Sequence, residues 1–184
     1  MKCFSCQESE LLPVKLEPGL PALGCNDCGG VYIDLLTYRE WNEDQDSDGA
    51  GSPSTESSTI AEEPADSDKA LICQRCRKIM LKFKISGKTD NYVDLCATCD
   101  DAWLDHGEWQ MLNQLQLEGK LTEIVTRPWQ KQIREDRAAS SLENRFRDAL
   151  GADDYTRARE YADWMTAHPK RREIENLVRY IRRG

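Results

Sequence analysis

Cys73-Gln74-Arg75-Cys76 and Cys96-Ala97-Thr98-Cys99, the second followed at once by Asp100-Asp101-Ala102-Trp103-Leu104-Asp105-His106-Gly107-Glu108, enclose nineteen residues that read as a hairpin. Each Cys-x-x-Cys lets one tight turn present two thiolates to a single ion, and two such knuckles complete a tetrahedron. The arrangement recurs at the N-terminus. There Cys3-x-x-Cys6 and Cys25-x-x-Cys28 enclose eighteen residues and lead into Gly29-Gly30-Val31-Tyr32-Ile33-Asp34. All eight cysteines are used in this way. The expectation is two Zn2+ per chain, one on Cys3, Cys6, Cys25 and Cys28, the other on Cys73, Cys76, Cys96 and Cys99.

Four soft ligands leave no coordination position for water, so such a site is structural rather than catalytic, and its binding energy is largely folding energy. A rubredoxin-like iron site also suits four thiolates, and pairs of structural disulfides are a third reading. The disulfide reading implies export, yet a ligand at Cys3 leaves no room for a signal peptide before it; the expected location is cytoplasmic.

The 184 residues are 39% hydrophobic and 32% charged, with a formal net charge of −8. No apolar run approaches membrane-spanning length. Residues 42–68 hold nine acidic and no basic side chains, whereas residues 127–184 hold fourteen basic against ten acidic ones. The acidity therefore sits in a tether rather than over the whole chain. Residues 42–70 have almost no large apolar groups with which to offset the entropy of ordering, so a disordered linker is expected there, leaving the ribbons on either side mechanically independent.

The fold class expected is a small metal-bound α+β protein. It comprises a first zinc ribbon (1–41), the acidic linker (42–70), a second ribbon with a following helix (71–126) and a mainly helical region (127–184). In the first ribbon Gly29-Gly30 supplies positive φ where the chain folds around the metal. Asp34 caps a short helix through Leu35, Leu36, Tyr38 and Trp41. In the second, Leu81-Lys82-Phe83-Lys84-Ile85 alternates with strand periodicity, which turns Leu81, Phe83 and Ile85 inward and both lysines outward. With Arg75, Arg77, Lys78 and Lys88 this segment holds six basic residues in fourteen positions, a candidate phosphate contact. Asp105-His106-Gly107-Glu108 fits a capping box for a helix bearing Trp109, Met111, Leu112 and Leu115, with Gly119 its terminator. His106 reads as a surface residue at a helix start.

Beyond residue 127 the pattern is helical. Pro128 fits a first turn, and Trp129, Ile133, Ala138, Leu142, Phe146 and Ala149 form a drifting apolar stripe that Gly151 interrupts. Asp153-Asp154 caps a second helix ending near His168-Pro169. A third sets Ile174, Leu177, Val178 and Ile181 against Arg171, Arg172, Arg179, Arg182 and Arg183.

The run Cys96-x-x-Cys99-x-x-x-Trp103-Leu104-Asp105-x-Gly107-Glu108, preceded by Cys73-x-x-Cys76, resembles the bacterial zinc-ribbon family named after the zinc finger of transcription factor IIB. In that family the last cysteine is followed by two glycines and then tryptophan-leucine-aspartate-x-glycine-glutamate. The first ribbon keeps the glycines at Gly29-Gly30 but has Tyr32 in the tryptophan position and Leu36-Thr37 for glycine-glutamate. The second keeps Trp103, Asp105, Gly107 and Glu108 but has Asp100-Asp101 for the glycines; Asp100 tolerates left-handed geometry better than most residues. The resemblance covers roughly residues 1–41 and 71–118, and implies fold and metal.

Three function classes follow. The first is a non-enzymatic adaptor that binds a protein partner, in transcription or nucleic-acid transactions. The second is direct binding of DNA or RNA through Arg75, Arg77, Lys78, Lys82, Lys84 and Lys88, with Arg171, Arg172, Arg182 and Arg183 adding a second patch. The third, a thiol redox enzyme, fits poorly, because one Cys-x-x-Cys suffices for exchange and four in two ribbons do not match that pattern. No catalytic residue is identified.

Overall fold

The computed structural model describes residues 1–47 and 69–183. Strands β1 (Leu12–Glu17) and β2 (Leu20–Gly24) form the first hairpin, with Gly19 at positive φ in its turn; β3 (Val31–Asp34) and helix α1 (Leu35–Ser47) follow. The second copy repeats this order with β4 (Leu81–Lys84), β5 (Tyr92–Cys96), β6 (Asp101–Leu104) and α2 (Glu108–Gln114). A 3-10 turn at Glu118–Lys120 and the short α3 (Leu121–Ile124) lead into α4 (Arg127–Leu150), α5 (Ala152–Ala167) and α6 (Arg171–Ile181). Among the described residues no helix is long and apolar enough to cross a membrane.

The two ribbons are not mechanically independent. Six strands form one antiparallel sheet in the order β1-β2-β3-β6-β5-β4, in which β3 and β6 join the copies edge to edge. Their register pairs Val31 with Leu104, Tyr32 with Trp103, Ile33 with Ala102 and Asp34 with Asp101. Because Tyr32 and Trp103 occupy equivalent positions in the two cysteine frames, each copy meets its counterpart at the same residue, as in an isologous interface. The reason lies in β3 and β6 themselves. A lone three-stranded ribbon would leave its third strand as an unpaired edge, and joining the two third strands removes both edges.

Side-chain alternation divides this sheet into two faces. On one, Ile33, Ala102 and Leu104 pack with Leu35, Tyr38, Trp41, Trp109, Leu112, Leu121 and Ile124 beneath the helices. On the other, Tyr32 and Trp103 pack with Phe4, Leu11, Leu71, Met80 and cysteines of both sets. The helical side also ties the copies together. The Tyr38 hydroxyl donates to Glu118 O and accepts from Leu121 N; Trp109 Nε1 donates to Glu17; and the Trp41 and Trp109 rings lie 6.3 Å apart.

Several local expectations are corrected. Residues 42–47, assigned to the linker, continue α1, while the disorder expected for 48–68 lies outside the described residues. Of Leu35, Leu36, Tyr38 and Trp41, which the sequence suggests seal a mini-core, Leu36 is exposed while the other three are buried. Leu81 is exposed, whereas Lys84 is buried and ion-paired to Asp90 at 2.7 Å, so the strand alternation fails at both ends of β4. At Lys84 the cause is the start of α4, which docks on β4: Lys84 N donates to Gln130 Oε1, and Gln130 Nε2 donates to Lys84 O. Gly119 does not end α2; Gln116, at φ 57°, supplies the left-handed residue instead.

The chain divides into two compact units, Met1–Arg134 and Glu135–Gly184. In the second unit α4 and α5 exchange an Arg159–Glu143 ion pair at 2.8 Å, and the Arg147 guanidinium lies over the Tyr155 ring. Asp153 and Asp154 fall in the first turn of α5 rather than at its cap, which is Gly151. There their charges still favour the helix dipole.

Candidate metal centres

The eight cysteines gather into the two sets read from their spacing, each with its four Sγ atoms within 4.8 Å of one another. Closest approaches are 3.5 Å for Cys3 and Cys28, 3.7 Å for Cys6 and Cys25, and 3.4 Å for Cys76 and Cys96. All eight are free thiols, and these separations far exceed a disulfide bond. Sulfurs bound to one Zn2+ by bonds of about 2.3 Å stand about 3.8 Å apart in a tetrahedron. Both sets therefore fit the ion and could hold Zn2+.

The backbone builds each knuckle in the same way. The residue after the second cysteine of every pair is left-handed: Gln7 (φ 60°), Gly29 (69°), Arg77 (63°) and Asp100 (60°). Only one of the four is glycine; the carbonyl of the first cysteine accepts a turn-closing N–H from Gly29, Arg77 or Asp100 in three of them. The turn N–H groups also aim at sulfur. Backbone donors at Ser9 and Glu8 lower the Cys6 thiol to about 6, and that at Lys78 lowers Cys76 to about 7. Burial acts oppositely on their partners, raising Cys3 and pushing Cys73 up to about 12. Each set thus combines a readily ionised outer thiol with a buried one that gives up its proton only to a strong competing cation.

Between the sets lies an aromatic stack. Phe4 sits on Tyr32 at 5.5 Å and on Trp103 at 5.3 Å, so a residue from the first knuckle covers the central pair of the joined sheet. The places where the two copies differ in sequence meet here. A Cβ on Gly30 would lie 2.2 Å from Trp103 Cζ2, so the larger indole requires glycine opposite it. At the equivalent position in the second copy stands Asp101, wholly buried, which accepts from the Tyr32 hydroxyl at 2.9 Å and from Arg75 Nη1 at 2.8 Å. Tryptophan faces glycine on one side, and tyrosine faces aspartate on the other.

After the second knuckle, Asp105 and Glu108 each make a defined hydrogen bond. Trp103 Nε1 donates to Asp105 Oδ1 at 2.8 Å, and Asp105 N donates to Glu108 Oε2 at 2.8 Å. Gly107 takes φ 81° at the start of α2. Glu108 thus reaches back as expected of a capping box, while the Asp105 carboxylate accepts from the indole. In the first copy Asp34 does cap α1, accepting from Thr37 N at 3.0 Å. His106 is exposed at the helix start, as expected.

Much of the expected phosphate contact is engaged within the protein. Arg75 is held by Asp101, and Lys82 pairs with the buried Asp94 at 3.0 Å. Lys84 is buried beside Asp90, and Lys78 donates to Thr98. Missed in the sequence were Arg127, Lys131 and Arg134, three cations at helical spacing that flank β4. Their periodicity was legible, but not that α4 would dock there. No family model, no curated protein and no solved structure matches the chain.

Proposed function

We propose that the protein is a non-enzymatic adaptor, a divergent relative of the transcription-factor-IIB-type zinc ribbons. In this reading each cysteine set binds one zinc ion and fixes residues 1–134 as a scaffold, while the helices of 135–184 engage a protein partner. The family assignment is supported by the roles of Trp103, Asp105, Gly107 and Glu108, whose bonds and backbone angle give the shared motif a physical purpose. The observation that carries partner binding is the exposure of large apolar side chains throughout the second unit: Leu142, Phe146, Leu150, Tyr161, Trp164, Leu177, Tyr180 and Ile181. Of these, the Tyr161 and Trp164 rings lie 5.7 Å apart, and exposed apolar and aromatic side chains of this kind are characteristic of interaction surfaces.

The test is affinity capture with the zinc-loaded full chain beside its Phe146→Glu/Trp164→Glu variant, both checked for zinc content and helical circular dichroism. A specific protein retained by the parent and lost from the intact variant supports the adaptor reading. Recovery of the same proteins by both overturns it. Direct nucleic-acid binding through the second ribbon's basic segment is less well supported, because Arg75, Lys82 and Lys84 already neutralise carboxylates within the protein.

A further inference from the structure

A groove of about 520 Å3 runs between β4 and the start of α4, lined by Lys82, Phe83, Arg127, Gln130, Lys131 and Arg134. All six residues belong to the first compact unit. Four carry positive charge, and none is acidic. Arg127, Lys131 and Arg134 recur at i, i+4 and i+7, within an arc of about 60° on the helix. The neighbouring arc of α4 holds it to the sheet: Trp129 Nε1 donates to Ile85 O at 3.1 Å, Gln130 clamps Lys84 through both of its backbone groups, and Ile133 is buried. The cations are therefore carried on a fixed element rather than on a loop.

Lys82 is committed to Asp94, so the groove's attraction for anions comes from the helix. Among the described residues Arg127 and Arg134 make no ion pair, and both are exposed. A row of three cations extending about 10 Å along a helix is longer than one phosphate needs, and an open groove suits a chain of anions. The half-buried Phe83 ring lines the same groove, and a basic channel with an aromatic surface is the combination that holds single strands, phosphates on the cations and a base on the ring.

We propose that this groove binds single-stranded nucleic acid, with Arg127, Lys131 and Arg134 on successive phosphates and Phe83 beneath a base. The site goes beyond the adaptor reading and does not depend on it. It also differs from the contact expected in the sequence, sharing only Lys82 with that cluster.

The test is fluorescence anisotropy with the zinc-loaded full chain and labelled 20-nucleotide oligo-dT and oligo-U, repeated across a salt series. Duplex DNA and polyglutamate serve as competitors. The parent should bind both single strands, with the two oligonucleotides separating DNA from RNA preference. Arg127→Gln/Arg134→Gln should bind at least tenfold more weakly, and its log affinity against log salt should flatten by about 1.4, at about 0.7 for each phosphate no longer neutralised. Lys88→Gln, outside the groove, should bind like the parent. Phe83→Leu, which keeps an apolar side chain against the core, should weaken single-strand binding several-fold while leaving any duplex binding unchanged. Absence of single-strand binding by the parent, or equal binding by the double variant with its zinc and circular dichroism intact, overturns the proposal. Displacement by polyglutamate as effective as by unlabelled oligonucleotide overturns it in favour of an acidic protein. None of these outcomes bears on partner capture through Phe146 and Trp164, so the two readings fail separately.

Discussion

The two cysteine-framed halves fold alike and are not interchangeable. Both have a hairpin, a third strand and a helix, and both place a left-handed residue after each cysteine pair. At their junction they diverge, with Gly30 beneath Trp103 in one direction and Asp101 against Tyr32 in the other. Two identical halves would either press two indoles against two glycines or bury two carboxylates. The divergence gives one junction an apolar close approach and the other a satisfied polar network, so that Tyr32 and Asp101, one departure from each copy, explain one another. A duplicated motif read one copy at a time looks degenerate; read across the sheet it is complementary.

On the proposed reading that each cysteine set holds one zinc ion, metal removal should affect both halves most. Chelation of zinc should unfold residues 1–134 as one unit, since apparent binding energies of structural zinc, about 10–16 kcal/mol, exceed the stability of most domains. Circular dichroism followed alongside metal release checks this, and retention of the sheet signal in metal-free protein would contradict it. Cys96→Ser should likewise lower the stability of the first half, although Cys96 belongs to the second set.

Next in size is Asp101→Gly, which restores the glycine of the resembling family but deprives Tyr32 and Arg75 of their buried acceptor. It should cost about 3 kcal/mol in chemical denaturation. Independence of the halves would limit the loss to the second one, and amide hydrogen exchange followed residue by residue in β1–β3 and in β4–β6 distinguishes the cases. Gly30→Ala should cost about 1–3 kcal/mol by overpacking against Trp103. Adding Trp103→Tyr should recover part of that loss, giving a coupling of about 1 kcal/mol in a double-mutant cycle; strict additivity would separate the two positions.

The smallest effects contrast knuckles at the same backbone angle. Arg77→Gly relieves a left-handed non-glycine residue and should stabilise by under about 1 kcal/mol. Gly29→Ala should destabilise, because its new methyl lies 2.1 Å from His106 Nδ1 at a φ of 69°. Equal and same-signed shifts in melting temperature would remove the distinction.

The cysteine sets, the hairpin between each pair of knuckles and the helices at Trp129, Asp153 and Lys170 were legible because their signals are local: ligand spacing, turn residues and apolar periodicity; the third strand of each copy, β3 and β6, was not read. Nor was the junction. Tyr32 and Asp101 are 69 positions apart, and neither Asp101's burial nor the pairing of β3 with β6 has a sequence-local sign. An acidic intervening segment suggested separation, yet a tether can also allow two edges to meet. Lys84 misled for a related reason: its alternation is correct for a free ribbon, and its burial follows from the docking of Gln130, 46 residues away.

Two zinc-ribbon-like halves form one sheet through their third strands. The direct measurement is a nuclear Overhauser spectrum of the zinc-loaded full chain. Cross-strand contacts between β3 and β6 are expected, together with Phe4 ring protons close to both Tyr32 and Trp103. Contacts confined within each half, with the halves tumbling at different rates, would contradict the joined sheet.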